Sequence, residues 1–128
     1  MTLPHSGFDE QLGLAITSAT GDEVVAKLVV EPPHLQPYGL VHGGVLCALV
    51  ETVGSVGGAL WFADRGKVVG TANHTNFLRG VREGTLTATA TPIHRGRSQQ
   101  LWNVEVTDEQ GRLVAKGELR LANLPADG

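Results

Sequence analysis

His42 followed by Gly43-Gly44-Val45-Leu46-Cys47-Ala48-Leu49-Val50-Glu51-Thr52-Val53-Gly54-Ser55-Val56-Gly57-Gly58-Ala59-Leu60-Trp61-Phe62 decides how the rest of the chain must be arranged. The run is too long for a strand, and its length predicts a helix. Its only charge is Glu51, so such a helix has no wide polar face and must be buried. A carboxylate in that setting needs a partner or a purpose. Gly54, Gly57 and Gly58 each cost a helix roughly 1 kcal/mol relative to alanine, which implies that something approaches the helix backbone closely there, either a curling sheet or a partner's helix. Asp64-Arg65-Gly66 supplies the expected stop, a basic residue and then a glycine to leave on. The segment is long enough to cross a bilayer. Against a membrane span stand the central Glu51, the three glycines, and the lack of flanking Lys/Arg clusters or of a second apolar span.

The wrapping must come from the other parts of the 128 residues, enough for one domain, 1–128, with a proper core. A net charge of −3 gives no global field for nucleic acid. A single cysteine, Cys47, excludes a disulfide framework, suits a reducing cytoplasm, and reads most simply as core filler. The five histidines lack the i, i+4 spacing of a metal helix, and no metal is expected. Met1-Thr2-Leu3-Pro4-His5 has no basic region followed by an apolar core, so no signal peptide is expected.

Upstream of the helix, Leu12 to Thr20 and Val24 to Val30 read as a hairpin about Gly21-Asp22-Glu23. Pro32, Pro33 and Pro37 then force a loop into His42. Downstream, four strand-like runs follow: Lys67 to Leu78, Thr85 to Thr91, Gln99 to Val106 and Arg112 to Leu121. In the second, Thr alternates with Leu or Ala. In the third, Leu101, Asn103 and Glu105 oppose Trp102, Val104 and Val106. Short connections make sequential strands antiparallel neighbours. The expected architecture is α+β, an antiparallel sheet of five or six strands around one long buried helix. An exposed Thr-rich edge invites a second copy, so a dimer is expected.

The helix start offers unpaired N–H groups and the positive end of the dipole, with no side chain at Gly43 to block a carbonyl. Glu51 follows eight residues on, with Cys47 and Ser55 four residues to either side on the same stripe. A polarised carbonyl beside a carboxylate is what acyl transfer requires. Each residue also has a plainer reading. Glu51 could pair with an arginine, His42 could be a turn residue, Gln36 a solvated loop residue, and Ser55 could bond back to a helix carbonyl. Arg79, Arg82, His94, Arg95 and Arg97, with Ser98, lie at strand ends and turns. They read either as a rim for a small polyphosphate or as solvated turn charges.

Gln36-Pro37-Tyr38-Gly39-Leu40-Val41-His42-Gly43-Gly44 with Leu49-Val50-Glu51 resembles the hotdog-fold acyl-CoA thioesterases of the phenylacetate-pathway and 4-hydroxybenzoyl-CoA type. Asn76-Phe77-Leu78-Arg79, Arg82-Glu83-Gly84, His94-Arg95-Gly96-Arg97-Ser98 and Asp108-Glu109-Gln110-Gly111-Arg112 continue the resemblance, which spans Leu12 to Leu121. It implies homodimers and commonly homotetramers, with active sites at the dimer interface. It implies Glu51 as nucleophile or general base, and the Gly43 N–H holding the thioester oxygen with Gln36 and His42. Ser55 would orient water, and Arg79, Arg97 and Ser98 would bind CoA. Many relatives carry Asp where this chain has Glu51, and Glu leans toward the aryl-CoA and dihydroxynaphthoyl-CoA branch.

The expected function is cytoplasmic hydrolysis of an aryl or medium-chain acyl-CoA to free acid and CoA, without metal, redox cofactor, nucleic acid or membrane. The alternative is a non-catalytic acyl-CoA-binding or regulatory protein of the same fold, which gives less reason to bury Glu51. A dehydratase would need a catalytic His and acid in another arrangement, absent from the motifs. Acyl preference, tetramer packing and pathway do not follow from the sequence.

Overall fold

A computed structural model describes residues 7–127; the Met1–His5 stretch read above lies outside the described residues. The chain runs α1 (Gly7–Leu12), β1 (Ala15–Ala19), β2 (Val24–Val29), α2 (Gly43–Phe62), β3 (Gly66–Phe77), β4 (Thr85–Arg95), β5 (Gln99–Thr107) and β6 (Leu113–Pro125). The α+β reading holds: all six strands form one antiparallel sheet about α2. The short helix α1 was not expected.

The decisive run is a helix over the predicted residues, and it is long and apolar enough to cross a membrane. Its packing explains its composition. Leu46, Leu49, Val50, Val53 and Val56 are buried with Val104, Val106, Leu119 and Leu121 in one core. The glycines do what their cost implied. A Cβ on Gly54 would stand 2.6 Å from Leu119 Cδ2, one on Gly57 2.6 Å from the Trp102 ring, and one on Gly58 would run into Leu121. The close approach is by the chain's own sheet.

The helix stop differs from the expectation. The chain turns to positive φ at Ala63 (54°) directly after the helix, three residues before Gly66, which is itself at positive φ (155°). Arg65 makes this tolerable: its guanidinium bonds the end carbonyls of Phe62 at 2.9 Å and Trp61 at 2.6 Å, and it lies over the Trp61 ring at 4.3 Å. The cation caps the orphan carbonyls with its side chain.

Strand order corrects the sequence reading in one place. The sheet runs β1-β2-β4-β5-β6-β3, so β3 and β4, although consecutive, are not neighbours. Residues 78–84 carry the chain from the outer edge back to the middle, where β4 pairs with β2. The reason lies in the wrapping: β3 returns along the far side of α2 and pairs with β6, with Gly66 opposite Pro125 and Phe77 opposite Ala115. The alternations hold. Leu86, Ala88 and Ala90 are buried with threonines between them, and Trp102, Val104 and Val106 are buried with Asn103 and Glu105 between them. β4 runs past Thr91 through Pro92 to Arg95, with a register shift at Pro92.

Candidate active site

The first cluster lies at the start of α2. His42 is the N-cap, and its Nδ1 accepts from Gly44 N–H at 2.8 Å. That acceptor role puts the proton of the neutral ring on Nε2, which leaves an N–H donor facing outward. Gly43 N–H donates no hydrogen bond among the described residues, as the first turn of a helix dictates. The Gln36 side-chain oxygen is taken up by the backbone N–H groups of Tyr38 and Leu40, so its amide NH2 remains the available end. Gln36, Gly43, Phe77 and Arg79 line one cavity of about 330 Å3. One expectation changes here. The space a side chain at Gly43 would fill is taken by the Phe77 ring, 2.8 Å from an ideal Cβ, so a substrate reaches this glycine along its N–H and not over its Cα.

The second cluster is mid-helix. Glu51 is half-buried in the chain, less than its apolar helix led one to expect. It faces the edge strand β3, where Gly70 leaves room: a Cβ there would collide with Glu51 Oε2. Asn73 Nδ2 donates to Glu51 Oε1 at 3.2 Å and to the Cys47 carbonyl at 3.0 Å. Thr75 Oγ1 in turn donates to Asn73 Oδ1 at 2.7 Å, fixing the amide's orientation. Glu51 and Ser55 open together on a cavity of about 200 Å3, walled by Val56, Ala59 and Val68. Asp9 of α1 and Thr52 close its rim, with Thr52 Oγ1 donating to Asp9 at 2.7 Å.

Arg97 and Ser98 are exposed on the β4–β5 turn, tied through neighbouring side chains to Gly58 near the far end of α2. Gly43 and Gly58 are fifteen helical positions apart, about 22 Å. Within one chain, then, Arg79 and Arg97 do not meet, and Gly43 is about 12 Å along the helix from Glu51. Two residues of the basic rim are held by the chain itself. Arg95 is held by Asp22 at 2.8 Å and by the Gly21 carbonyl at 2.7 Å, and Arg82 donates to the Tyr38 carbonyl. Buried His34 is structural, accepting from Glu31 N–H at 2.9 Å while its Nε2 lies 2.6 Å from the Leu12 carbonyl.

Sequence reasoning missed Asn73, Gly70, Thr75, Phe77 and Asp9. The polar run Asn73-His74-Thr75-Asn76 inside a strand was a signal available for two of them.

A sheet wrapped about one helix, with an open N–H at the helix start and a carboxylate two turns later, is an arrangement suited to acyl transfer. Residues 38–115 match the family model of the thioesterase superfamily. The chain is 38% identical over 115 residues to the proofreading thioesterase EntH of Cronobacter sakazakii, covering 90% of this chain and 84% of that protein. It is 39% identical over 103 residues to the 1,4-dihydroxy-2-naphthoyl-CoA hydrolase of Escherichia coli, covering 80% and 76%. The solved structure of the Mycobacterium tuberculosis protein Rv1847 superposes with a TM-score of 0.94 at 45% identity, covering 96% of this chain and all of that one. The chain belongs to the thioesterase superfamily and is a thioester hydrolase.

Proposed function

We propose that this chain hydrolyses acyl-CoA thioesters with an aryl or medium-chain acyl group in the cytoplasm, releasing the free acid and CoA, with Glu51 at the reacting carbon. The observation that carries this is the Glu51 carboxylate, aimed by Asn73 at the mouth of a cavity it shares with Ser55. The E. coli relative's CoA thioester supports the choice of thiol.

Glu51 and Gly43 act together across a homodimer. In a two-fold pairing along the exposed edge of β3, the two copies of α2 run antiparallel. Gly43 and Glu51 lie four residues to either side of Cys47, so a dyad near Cys47 would set each Gly43 against the other copy's Glu51. The same rotation brings the Gln36–Arg79 end of one helix toward the Arg97–Ser98 end of the other. Asn73, bonded to the Cys47 carbonyl, would lie near that axis. A homotetramer of two such dimers is the expected assembly.

The thioester oxygen then takes the Gly43 N–H, with the Gln36 amide and His42 Nε2–H beside it, where negative charge builds in the transition state. Glu51 either bonds to the carbonyl carbon, expelling CoA thiolate and leaving an anhydride for water to open, or removes a proton from a water held by Ser55. The net reaction in both is acyl-CoA plus water giving acid plus CoA. No cofactor is needed. Arg79, Arg97 and Ser98 serve the CoA phosphates.

Thiol release from benzoyl-, 4-hydroxybenzoyl-, phenylacetyl-, hexanoyl- and palmitoyl-CoA tests this. Glu51→Ala is expected to lower kcat/KM at least about 100-fold, about 2.7 kcal/mol of barrier. Undiminished turnover in that variant, or none in the wild type, overturns the assignment. Single turnover in 18O-water tests the anhydride route, since label found in Glu51 requires water to have opened an anhydride at the Glu51 carboxyl carbon.

A further inference from the structure

Asn123 stands where β6 should carry another apolar residue: Leu119 and Leu121 before it on the same face are fully buried, and Asn123 itself is buried. A buried amide is retained only with its hydrogen bonds made, and here their partners are informative. Asn123 Nδ2 donates to the Gly96 carbonyl at 3.0 Å and to the Arg97 carbonyl at 3.1 Å, while its backbone N–H donates to the Ser98 carbonyl at 2.9 Å. One residue therefore draws three consecutive carbonyls of the β4–β5 turn inward.

Its own oxygen accepts from Gln100 Nε2 at 2.8 Å, and Gln100 continues to the Gly58 carbonyl at 3.3 Å. Trp102 Nε1 closes the chain on Gln100 Oε1 at 2.8 Å. No buried side-chain polar atom among the described residues is left without a partner. Gly58 belongs to the same device, since a Cβ there would stand 2.9 Å from Gln100 Oε1.

In a trans peptide the C=O and the following N–H point in opposite directions. Carbonyls of Gly96 and Arg97 turned inward thus turn the N–H groups of Arg97 and Ser98 outward. Neither donates a hydrogen bond among the described residues, and both side chains are exposed. Successive outward N–H groups beside a guanidinium make a concavity for an anion.

We infer that Asn123, anchored to α2 through Gln100, is the positioning residue that shapes the Arg97–Ser98 turn for a phosphate of the CoA nucleotide. This rests on the acyl-CoA reading above. Asn123 does not touch substrate. It acts through the turn, so its effect belongs to the nucleotide half of the substrate and not to the thioester.

The test compares benzoyl-CoA with benzoyl-pantetheine, which carries the same thioester without the nucleotide, in one preparation of each variant, so that any loss of folded protein cancels in the ratio. Asn123→Asp, a near-isostere that replaces the donating NH2 by an acceptor, is expected to raise KM for benzoyl-CoA about tenfold. KM for benzoyl-pantetheine should move less than twofold, and kcat for benzoyl-CoA should hold within twofold. Asn123→Ser, which keeps one donor, should fall between and covers the case that the buried carboxylate prevents folding. Arg97→Ala is the reference for the turn itself. If it raises the CoA-to-pantetheine KM ratio and neither Asn123 variant does, the positioning role is overturned. Equal losses on both substrates in the Asn123 variants also overturn it, leaving a purely structural residue. If Arg97→Ala leaves the ratio unchanged, the turn does not bind the nucleotide, and the underlying assignment of Arg97 fails instead.

Discussion

Asn73 holds Glu51 from a strand rather than from the helix, and this sets what its loss should do. A hydrogen bond to a charged group is worth about 1.5–3 kcal/mol, and Asn73 also spans to the Cys47 carbonyl. Asn73→Ala should lower kcat about tenfold or more, in a protein whose thermal midpoint stays near that of wild type because Asn73 is exposed; stopped-flow thiol release beside a melting curve checks both. Asn73→Asp should cost more in kcat, since it sets a second carboxylate where a donor stood. Glu51 and Gly43 stand out in the sequence because their surroundings are themselves unusual, a lone charge in an apolar run and paired glycines before it. Asn73 stands out only as one of a polar run within a strand; that it meets Glu51 depends on β3 returning beside α2, which the run does not record.

At the scale of elements, the glycines of α2 and the β5–β6 turn make separate expectations. Alanine would favour a helix by about 1 kcal/mol over glycine, yet Gly57→Ala is expected to lower the thermal midpoint. The Trp102 ring lies 2.6 Å from the new methyl, and its Nε1 bond to Gln100 keeps it from giving way. Overpacking of about 1–3 kcal/mol should win, and calorimetry of Gly57→Ala against Ala59→Gly tests the sign.

In the turn Asp108-Glu109-Gln110-Gly111, burial works to raise the pKa of Asp108. The Arg112 N–H and guanidinium and the Gln110 N–H outweigh it and hold the carboxyl below its ordinary value. A depressed folded pKa stabilises above the unfolded value, and that contribution is lost as pH falls through the folded one. Asp108→Asn should therefore lower the urea midpoint at pH 7, with a gap to wild type that narrows on acidification below about pH 4.

The regular alternation of β4 and β5 could be read directly because a period of two needs no tertiary information. The helix end at Ala63 could not, since it depends on Arg65 folding back onto carbonyls that glycine would otherwise have relieved. Nor could the separation of β3 from β4, which the wrapping about α2 imposes.

For the molecule as a whole, one long edge strand is left open. Among the described residues β3 pairs only with β6, and Val69, Phe77 and neighbouring Leu78 are 45%, 55% and 57% exposed. Sedimentation should find at least twice the 13.5 kDa chain mass. Val69→Arg with Ala72→Arg, both exposed in the single chain, should yield a folded monomer that has lost thioesterase activity together with its partner. A folded, active monomer would overturn the shared site. The distance of Arg79 from Arg97 within one chain is the feature least visible in the sequence, where both read as parts of one basic rim.

The place of β3 at the edge also bears on how the chain is made. The ribosome delivers β3 directly after α2, but its partner in the sheet, β6, emerges about 36 residues later. Until then an apolar helix and an unpaired strand are both uncovered, and the helix, with three glycines in its interior, is too weak to persist alone. Early folding stages of this kind expose surfaces prone to aggregation. The nascent chain thus gains little by partial folding. Its structure should arrive late and all at once, when the last strand closes between β5 and β3.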